Sequence, residues 1–447
     1  MNKLMSRFLC LVSYSLIPAT CYLLLVSCDT TKPQQGQQKQ GQSRNRQNAR
    51  ANKQDTEANE MQVSMFLYHS DEANSQLYYN INNNQVLYKR SDTTGDFIAR
   101  VKIFYKLLPN ADSKSFFDSA TVYVEDRSKT EPQSKYITGS FPVKVNATQP
   151  CYIELQVSDV NSKRQHTHYI KCDKTNPYTQ QNYLLMGSGT SIYYSNKIER
   201  GSNITVYNAR VPFSRARVDF FVNDYSLPPP PFSPREPAPY PSIPDSTFYA
   251  TSLDGHSIPL KVAKRGVYFI RLDSATNLTG CTVMGVEQYF PKVLSHTQMI
   301  AATRFILNKD EYQKLTDAQD KQAAIENFWL GLAGDNQDKA KELIKNYYNR
   351  VQDANTFFTS HIEGWKTDMG MVYIVFGTPT KTYKTPQLET WVYGKEGTPN
   401  SATFKFEKIN NPFSERNYKL IRNESYKYAW TVAVSNLRAG HFYLDKK

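Results

Sequence analysis

The spacing of apolar residues changes from a strand period to a helix period near Thr297, and this change constrains the fold more than any other feature of the sequence. From Met61 onward apolar and polar residues alternate, which is typical of strands buried on one face. After Thr297 apolar residues recur every three or four positions, which is typical of amphipathic helices. A chain of 447 residues has room for about three domains. We therefore predict a multidomain protein with a β-rich N-terminal part and an α+β C-terminal part.

Short alternating runs, separated by turn-forming residues, define two β-rich regions. In the first, over 61–175, strands are predicted at 97–106, 120–124, 137–145 and 151–157. In the second, over 176–296, they are predicted at 203–207, 216–222 and 266–272. No helical pattern lies between these runs, so we expect two Ig-like antiparallel β-sandwich domains.

A Pro-rich loop at 228–244 interrupts the second region and begins with four consecutive prolines at 228–231. Polyproline segments are either stiff connections or ligands for partner domains. We favour a stiff connection between two strands, because that is the commoner use of such a segment.

The C-terminal part, 297–447, is predicted to be an α+β domain. The sequence Thr-Asp-Ala-Gln at 316–319 matches a capping box and predicts the start of a helix. The apolar face of this helix carries Ile325, Phe328, Trp329 and Leu332. A longer amphipathic helix is predicted from Ala340 to Phe358. Strands are then predicted at 371–376, 390–393 and 403–406.

Between the long helix and the strand at 371–376 lies the motif Gly-Trp-Lys-Thr-Asp at 364–368. It resembles the signature of the GWxTD-domain family of Bacteroidota envelope proteins, and the resemblance covers about 300–410. The motif residues are Gly364, Trp365, Thr367 and Asp368. Further matches are Phe328, Trp329, Arg350, Val351, Ala354, Asn355, Phe358, 372–374, Gly377, Thr378, Pro379 and 391–393.

The chain departs from the family pattern at two places. The acidic-Pro stretch that follows the Phe-Trp pair is replaced by 331–335, and the Asn-Glu pair that often starts the long helix is missing. Members of the family are commonly lipoproteins with a β-rich N-terminal half. The resemblance therefore implies an architecture, and it implies no catalytic residue and no cofactor.

The motif has a structural interpretation as a helix-to-strand connection. Gly364 allows a backbone conformation that other residues resist, and Thr367 and Asp368 can bond to their own backbone nearby. Trp365 is expected to be buried against Phe328, Trp329 and Phe358, where it would lock the helix pair onto the strand at 371–376.

A functional interpretation instead makes Asp368, Glu363 and His361 an acid/base group, with Arg350 nearby. We favour the structural interpretation, because nothing else in the chain supplies a nucleophile or a set of metal ligands.

The N-terminus has the pattern of an export signal. Lys3 and Arg7 precede an uncharged run over 8–27, whose end, Leu-Val-Ser-Cys at 25–28, resembles the lipobox of bacterial lipoproteins. This implies a signal peptide over 1–27 and lipidation (palmitate) of Cys28. Pro18 inside the run argues against a spanning helix. Residues 28–60 are predicted to be a flexible, basic, Gln-rich tether.

Lipidation would anchor the protein in the outer membrane. Surface export in Bacteroidota is associated with acidic residues just after the lipid-bearing cysteine, and here only Asp29 precedes Lys32. We therefore expect the periplasmic face rather than the cell surface.

Three cysteines remain after the signal peptide and Cys28 are set aside: Cys151, Cys172 and Cys281. If 151–157 and 166–172 form a hairpin in which Ile153 faces Ile170, then Cys151 faces Cys172. Directly opposed cysteines lie within bridging range, so we predict a disulfide between these two.

Two further kinds of site are suggested by short patterns. Asp-Ser/Thr-x triplets resemble the O-glycosylation signal of Bacteroidota and predict modification of Thr93, Ser119 and Ser274. His166 and His168 lie on one strand face and could form half of a metal site. No third ligand is near them in sequence, so no metal is predicted.

Charge and motifs exclude several functions. The chain has 54 Lys and Arg against 41 Asp and Glu, a net charge of +13, but the charge is spread thinly and no nucleic-acid reading motif is present. No P-loop, dinucleotide fingerprint, nucleophile elbow or zinc-protease motif occurs.

We therefore predict a non-enzymatic lipoprotein that serves as an interaction or structural subunit of an envelope assembly for secretion, gliding or surface proteins. One alternative is a glycan-binding lipoprotein, for peptidoglycan or polysaccharide. The other is an envelope hydrolase that uses Asp368 and Glu363.

Overall fold

The computed structural model describes most of the chain beyond the predicted tether. The described residues are Met61, 63–110, 112–133, 135–145, 148–162, 164–189, 191–222, 225–272, 279–398 and 401–441. The predicted signal peptide, the tether with Cys28, and Ser274 lie outside the described residues.

The first β region consists of two antiparallel sheets that share one core. Its strands are β1 Val63–His69, β2 Ser75–Asn82, β3 Lys89–Arg90, β4 Phe97–Leu108, β5 Asp118–Ser128, β6 Tyr136–Pro142, β7 Cys151–Asp159 and β8 Gln165–Cys172. One sheet has the order β1-β2-β6; the other has the order β3-β4-β7-β8, with β5 also paired to β4. Alternate residues of β4 and β7, such as Ile103 and Ile153, pack with Leu77 of β2 in this core. The four strands predicted here are confirmed.

The second β region also contains two sheets. Its strands are β9 Tyr183–Met186, β10 Lys197–Glu199, β11 Asn203–Asn208, β12 Arg215–Val222, β13 Ser246–Thr251, β14 Ser257–Lys261, β15 Gly266–Leu272 and β16 Cys281–Val286. The sheet orders are β10-β16-β15-β12-β13 and β14-β11-β9. The three predicted strands are confirmed, but β10 pairs with β16 in parallel, so this region is not purely antiparallel as predicted.

The central strand β15 is buried on both faces. Tyr268 and Ile270 belong to the core of the second β region. Val267 and Phe269 face the other way and pack with Phe413 of the C-terminal part; the ring centroids of Phe269 and Phe413 are 5.2 Å apart. The sheet of the second β region therefore supports the C-terminal part directly.

The C-terminal part combines six described helices with one antiparallel sheet. The helices are α1 His296–Ala302, α2 Lys309–Asp317, α3 Lys321–Leu332, α4 Gln337–Phe358, α5 Asp368–Phe376 and α6 Tyr426–Arg438. The sheet has the order β17-β18-β19-β20, with strands β17 Lys381–Lys384, β18 Leu388–Tyr393, β19 Ala402–Lys408 and β20 Tyr418–Leu420. The two amphipathic helices and the strands at 390–393 and 403–406 are confirmed. None of the described helices combines the length and the apolar character that crossing a bilayer requires.

The predicted capping box at 316–319 is wrong. Thr316 lies inside α2, where its hydroxyl donates to the carbonyl of Tyr312. Helix α3 is capped instead by Asp320, which accepts a 2.9 Å hydrogen bond from the Ala323 amide. A capping box does occur, at the start of α2, between Asn308 and Glu311.

The predicted strand at 371–376 is also wrong, because these residues form most of α5. Every residue of α5 is buried, so an apolar run without polar positions appears in the sequence, and such a run has no period that separates a buried strand from a buried helix. The residues at the two ends of this run favour a helix. Thr367 caps its start, and Gly377, at φ 78°, ends it.

Candidate functional site

The motif at 364–368 begins as a 3-10 turn, Gly364–Lys366, pressed against α4. A Cβ atom at Gly364 would lie 1.9 Å from the carbonyl oxygen of Ala354, and one at Gly370 would lie 1.9 Å from that of Gly364. Gly364 does not have a positive φ. The predicted reason for this glycine, an unusual backbone conformation, is therefore wrong: it is required because two backbone segments approach closely.

Trp365 is buried, as predicted, with 2% of its surface exposed. Its indole Nε1 donates to Glu363 at 3.1 Å, and the Lys366 ammonium lies 5.2 Å from its ring centroid. Phe328, Trp329 and Phe358 belong to the same hydrophobic core as Trp365, and their closest ring contacts are with other aromatic side chains. Trp329 packs on Tyr347 and Phe358 on Trp391.

Asn355 of α4 connects the motif to the second β region. Its Oδ1 accepts the Trp365 amide at 3.2 Å, and its Nδ2 donates to the carbonyl of Pro291 at 2.8 Å. Thr359 adds a second bond, since its hydroxyl accepts the Gly364 amide at 2.9 Å. Both side chains are buried.

Thr367 makes the local bonds that the sequence predicts, but Asp368 does not. The Thr367 hydroxyl accepts the Gly370 amide at 3.0 Å and donates to the Gly364 carbonyl at 2.7 Å. The Asp368 carboxylate instead forms a bidentate ion pair with Arg422, at 2.5 and 3.0 Å, and accepts the Leu420 amide at 2.8 Å. Burial raises the pKa of Asp368, while Arg422 acts in the opposite direction.

Arg422 extends this contact to the Pro-rich loop. Its Nη2 donates to the carbonyl of Pro229 at 3.0 Å, and the amide of Asn423 donates to the carbonyl of Pro231 at 3.1 Å. The loop joins β12 to the adjacent strand β13. The segment is therefore a connection between two strands, as we favoured, and its prolines lie against the C-terminal part.

The proposed acid/base residues occupy separate environments. Glu363 lies 3.1 Å from the Lys366 ammonium and 3.7 Å from Arg265. His361 accepts a 3.1 Å hydrogen bond from Asn411, and burial lowers its pKa to about 4. Among the described residues, neither of these side chains hydrogen-bonds to Asp368.

Arg350 serves the end of α5. Its Nη1 donates to the carbonyls of Ile374 and Val375 at 3.2 Å, which would otherwise have no partner within the helix. Gly377 lies beside it, and a Cβ at this position would approach Arg350 Nη2 to 2.7 Å. These two family-matching residues thus terminate a helix that is buried on all sides.

A cavity of about 670 Å³ lies where the three regions meet. Four cationic and two acidic side chains line it, namely Lys197, Lys384, Lys408, Arg416, Asp353 and Glu389. The remaining wall is rich in aromatic and amide side chains. No local pattern in the sequence marks this cavity, because its residues come from β8, β10, α4 and the C-terminal sheet.

The cationic groups of the cavity influence one another. The rings of His166 and His168 lie on β8 with centroids 5.9 Å apart. Burial lowers the pKa of His168, and Arg416, Lys384 and Lys408 lower it further. Burial, and then the charge of Arg416, lowers the pKa of Lys197 to about 8.

Other predicted sites lie away from the motif. The predicted hairpin register is confirmed: Cys151 lies opposite Cys172 and Ile153 opposite Ile170. Both cysteines are buried thiols in the structure, so their disulfide stays a prediction. Thr93 is exposed and Ser119 half-buried, and glycosylation of both stays a prediction. No set of three side chains suited to a metal occurs among the described residues, those near the two histidines included.

Comparison with protein families identifies the C-terminal part. Residues 266–439 match the model of the GWxTD domain. The chain is a GWxTD-domain-containing protein. No curated protein matches it. The match begins at the first residue of β15, so the GWxTD domain includes Val267 and Phe269, which pack with Phe413, but not Phe221 of β12.

Two groups of the family-matching residues can be distinguished by where they lie. The motif, Arg350 and Gly377 hold α5. A second group lines the cavity and comprises Asn355, Phe358, Tyr373, Thr378, Pro379 and Trp391.

Proposed function

We propose that this protein is a non-enzymatic subunit of a cell-envelope assembly, held at the periplasmic face of the outer membrane by a lipid on Cys28. In this proposal the two β regions are Ig-like sandwiches, and the GWxTD motif builds a rigid junction between the second of them and the C-terminal helices. The observation that carries it is the buried contact from Asp368 through Arg422 to Pro229.

The environment of Asp368 argues against chemistry on a substrate. Its exposed fraction is 3%, and both carboxylate oxygens accept bonds from Arg422. A general acid or base must come within hydrogen-bond distance of a substrate proton. Glu363 is similarly buried between Lys366 and Arg265. Both residues therefore support the structural interpretation over the hydrolase alternative.

An exposed apolar segment supports a protein partner. Four large apolar side chains, Ile243, Phe248, Tyr249 and Leu253, are exposed within one short stretch of the second β region. Large apolar side chains exposed in one short segment favour an interaction surface. Phe248 and Tyr249 lie on β13, at the end of the strand order of its sheet.

Co-purification tests this function. We expect the full-length protein, solubilised from native membranes in detergent, to carry a stoichiometric protein partner. Phe248→Ser with Tyr249→Ser should release the partner, whereas Tyr428→Ser, at a more exposed residue of α6, should retain it. Absence of any stoichiometric partner from the wild-type protein would overturn the proposal. Intact mass of the mature chain tests the acylated Cys28 separately.

A second candidate, a glycan-binding lipoprotein, is favoured by the cavity. Ligand sites are commonly clefts of about 300–1,000 Å³ at domain interfaces, with aromatic walls and a few placed polar groups. The cavity between the three regions has this size, and its wall combines aromatic rings with many polar side chains, which suits a ligand as polar as a sugar.

A further inference from the structure

We propose that the cavity between the three regions binds a saccharide that carries negative charge, as a carboxylate or a phosphate. This inference rests on the second candidate function and extends it by naming the class of ligand.

The position of the cavity suits a bound ligand rather than a gap between loops. Strand β8 of the first β region, strand β10 of the second, and α4 with the sheet of the GWxTD domain all contribute side chains. A ligand there would contact all three regions at once. Its binding would therefore favour one arrangement of the three regions over any other.

Positive charge exceeds negative charge on the wall. Lys197, Lys384, Lys408 and Arg416 face Asp353 and Glu389. Glu389 lies 3.6 Å from Lys384 and accepts a 2.8 Å bond from the indole of Trp391. Burial raises the pKa of Asp353, which weakens its negative charge. Lys408 also lies 3.1 Å from Glu415, which is not on the wall. Three carboxylates therefore stand against four cationic side chains, so positive charge still exceeds negative charge.

Two of the cationic side chains influence each other and are partly shielded from water. Lys197 and Arg416 are half-buried, and the charge of Arg416 disfavours the protonated form of Lys197. Repulsion between like charges is strong where water is scarce. An anion placed between these side chains would relieve the repulsion and accept charge-assisted hydrogen bonds.

The neutral part of the wall argues for a sugar rather than a bare anion. The half-buried Tyr152 and Tyr418 bring aromatic rings to the wall, and Asn80, Asn82 and Gln352 bring amide donors and acceptors. Rings can cover the apolar face of a pyranose, while amides can bond to its hydroxyls. A phosphate or sulfate ion alone would leave most of this wall without contact.

Titration calorimetry with the full-length protein tests the proposal. The probes are trigalacturonate, its methyl-esterified neutral form, and inorganic phosphate. We expect trigalacturonate to bind, and to bind more weakly as salt is added, because partly exposed charges are screened. The neutral ester should bind at least about tenfold more weakly, given the strength of hydrogen bonds to charged groups.

Two lysines of one strand supply a matched pair of variants. Lys408 lines the cavity, whereas Lys405 is exposed on the same strand β19 and lies outside it. Lys408→Gln should weaken trigalacturonate binding by about tenfold, and Lys405→Gln by less than about twofold. Lys197→Gln provides an independent test from β10, should Lys408→Gln fail to fold.

Three other results of these titrations would each overturn part of the proposal. Equal binding of the neutral ester would reject the charge inference and leave the glycan-binding candidate standing. Binding of phosphate alone, or of none of the probes, would reject both. Equal losses in Lys408→Gln and Lys405→Gln would assign the binding to general surface charge and reject the cavity.

Discussion

At the scale of single residues, Asp368 and Arg422 form the most consequential contact of the GWxTD domain. Their side chains are 1% and 4% exposed, so neither charge has water as an alternative partner. Removal of one member of a buried ion pair leaves the other charge poorly compensated, which commonly costs about 3–5 kcal/mol. The other carboxylate near Arg422, that of Glu236, is exposed and 4.0 Å away, so it offsets little of this cost. The same pair would be worth little at the surface.

Asp368→Asn should therefore lower the free energy of unfolding by about 3–5 kcal/mol, as measured by chemical denaturation. The sequence alone predicts a much smaller effect, because it assigns Asp368 only a local turn bond. Asp338→Asn is the control, since Asp338 forms an exposed pair with Lys341 and should lose less than about 1 kcal/mol. Similar losses in the two variants would contradict the role given to Arg422.

Trp365→Ala should lower the free energy of unfolding by about 3–5 kcal/mol, because truncation of a buried Trp leaves a cavity in a packed core. The change also removes the indole donor to Glu363. Thermal melts of this variant, beside Trp365→Phe, separate the lost volume from the lost hydrogen bond. A Trp365→Ala protein that melts like the wild type would contradict the structural interpretation of the motif.

At the scale of elements, α5 shows where the sequence ceases to be informative. The strands of the first β region are predictable where one face is more exposed than the other, because buried and partly exposed residues then alternate, as in β7. Helix α5 has no exposed face, so its sequence shows neither the strand period nor the helix period. The cavity was equally out of reach, since Lys197 and Arg416 meet only through the tertiary fold.

Gly377→Ala tests how α5 is terminated. Gly377 and Gly397 both have positive φ, of 78° and 82°, so an alanine at either position should cost about 1–3 kcal/mol through backbone strain. At Gly377 the new Cβ also meets Arg350, whereas at Gly397 nothing lies within 4 Å. We expect Gly377→Ala to lose about 2 kcal/mol more than Gly397→Ala in denaturant titrations, because the Arg350 bonds are disturbed. Equal losses would show that the Arg350 contact contributes nothing.

At the scale of the whole molecule, the second β region and the C-terminal part pack together as one unit. The aromatic cluster around Phe413, the bond from Asn355 to Pro291 and the contact of Arg422 with Pro229 all join them. The predicted boundary at 297 follows the change of period in the sequence. The family match begins earlier, at the first residue of β15, and the core contacts begin earlier still, at Phe221 of β12. A strand can pack against two neighbours without a change of period, so the sequence does not mark these contacts.

His361 lies at this junction and should make its stability depend on pH. Its ring packs edge-on against Tyr225, and its Nδ1 accepts a bond from Asn411, which only the neutral ring can do. Burial lowers the pKa to about 4 in the folded state, below the ordinary value of 6.5. As the pH falls below about 6.5 the unfolded chain binds the proton first, so stability is lost progressively down to about pH 4 and no further below it. The loss of stability assigned to this one group is about 3 kcal/mol.

Denaturant titrations at pH 7.5 and pH 4.5 test this assignment. The free energy of unfolding should fall less between these pH values in His361→Gln than in the wild type. His441→Gln, at an exposed position, should match the wild type. An unchanged acid loss in His361→Gln would mean that this histidine is protonated in the folded protein.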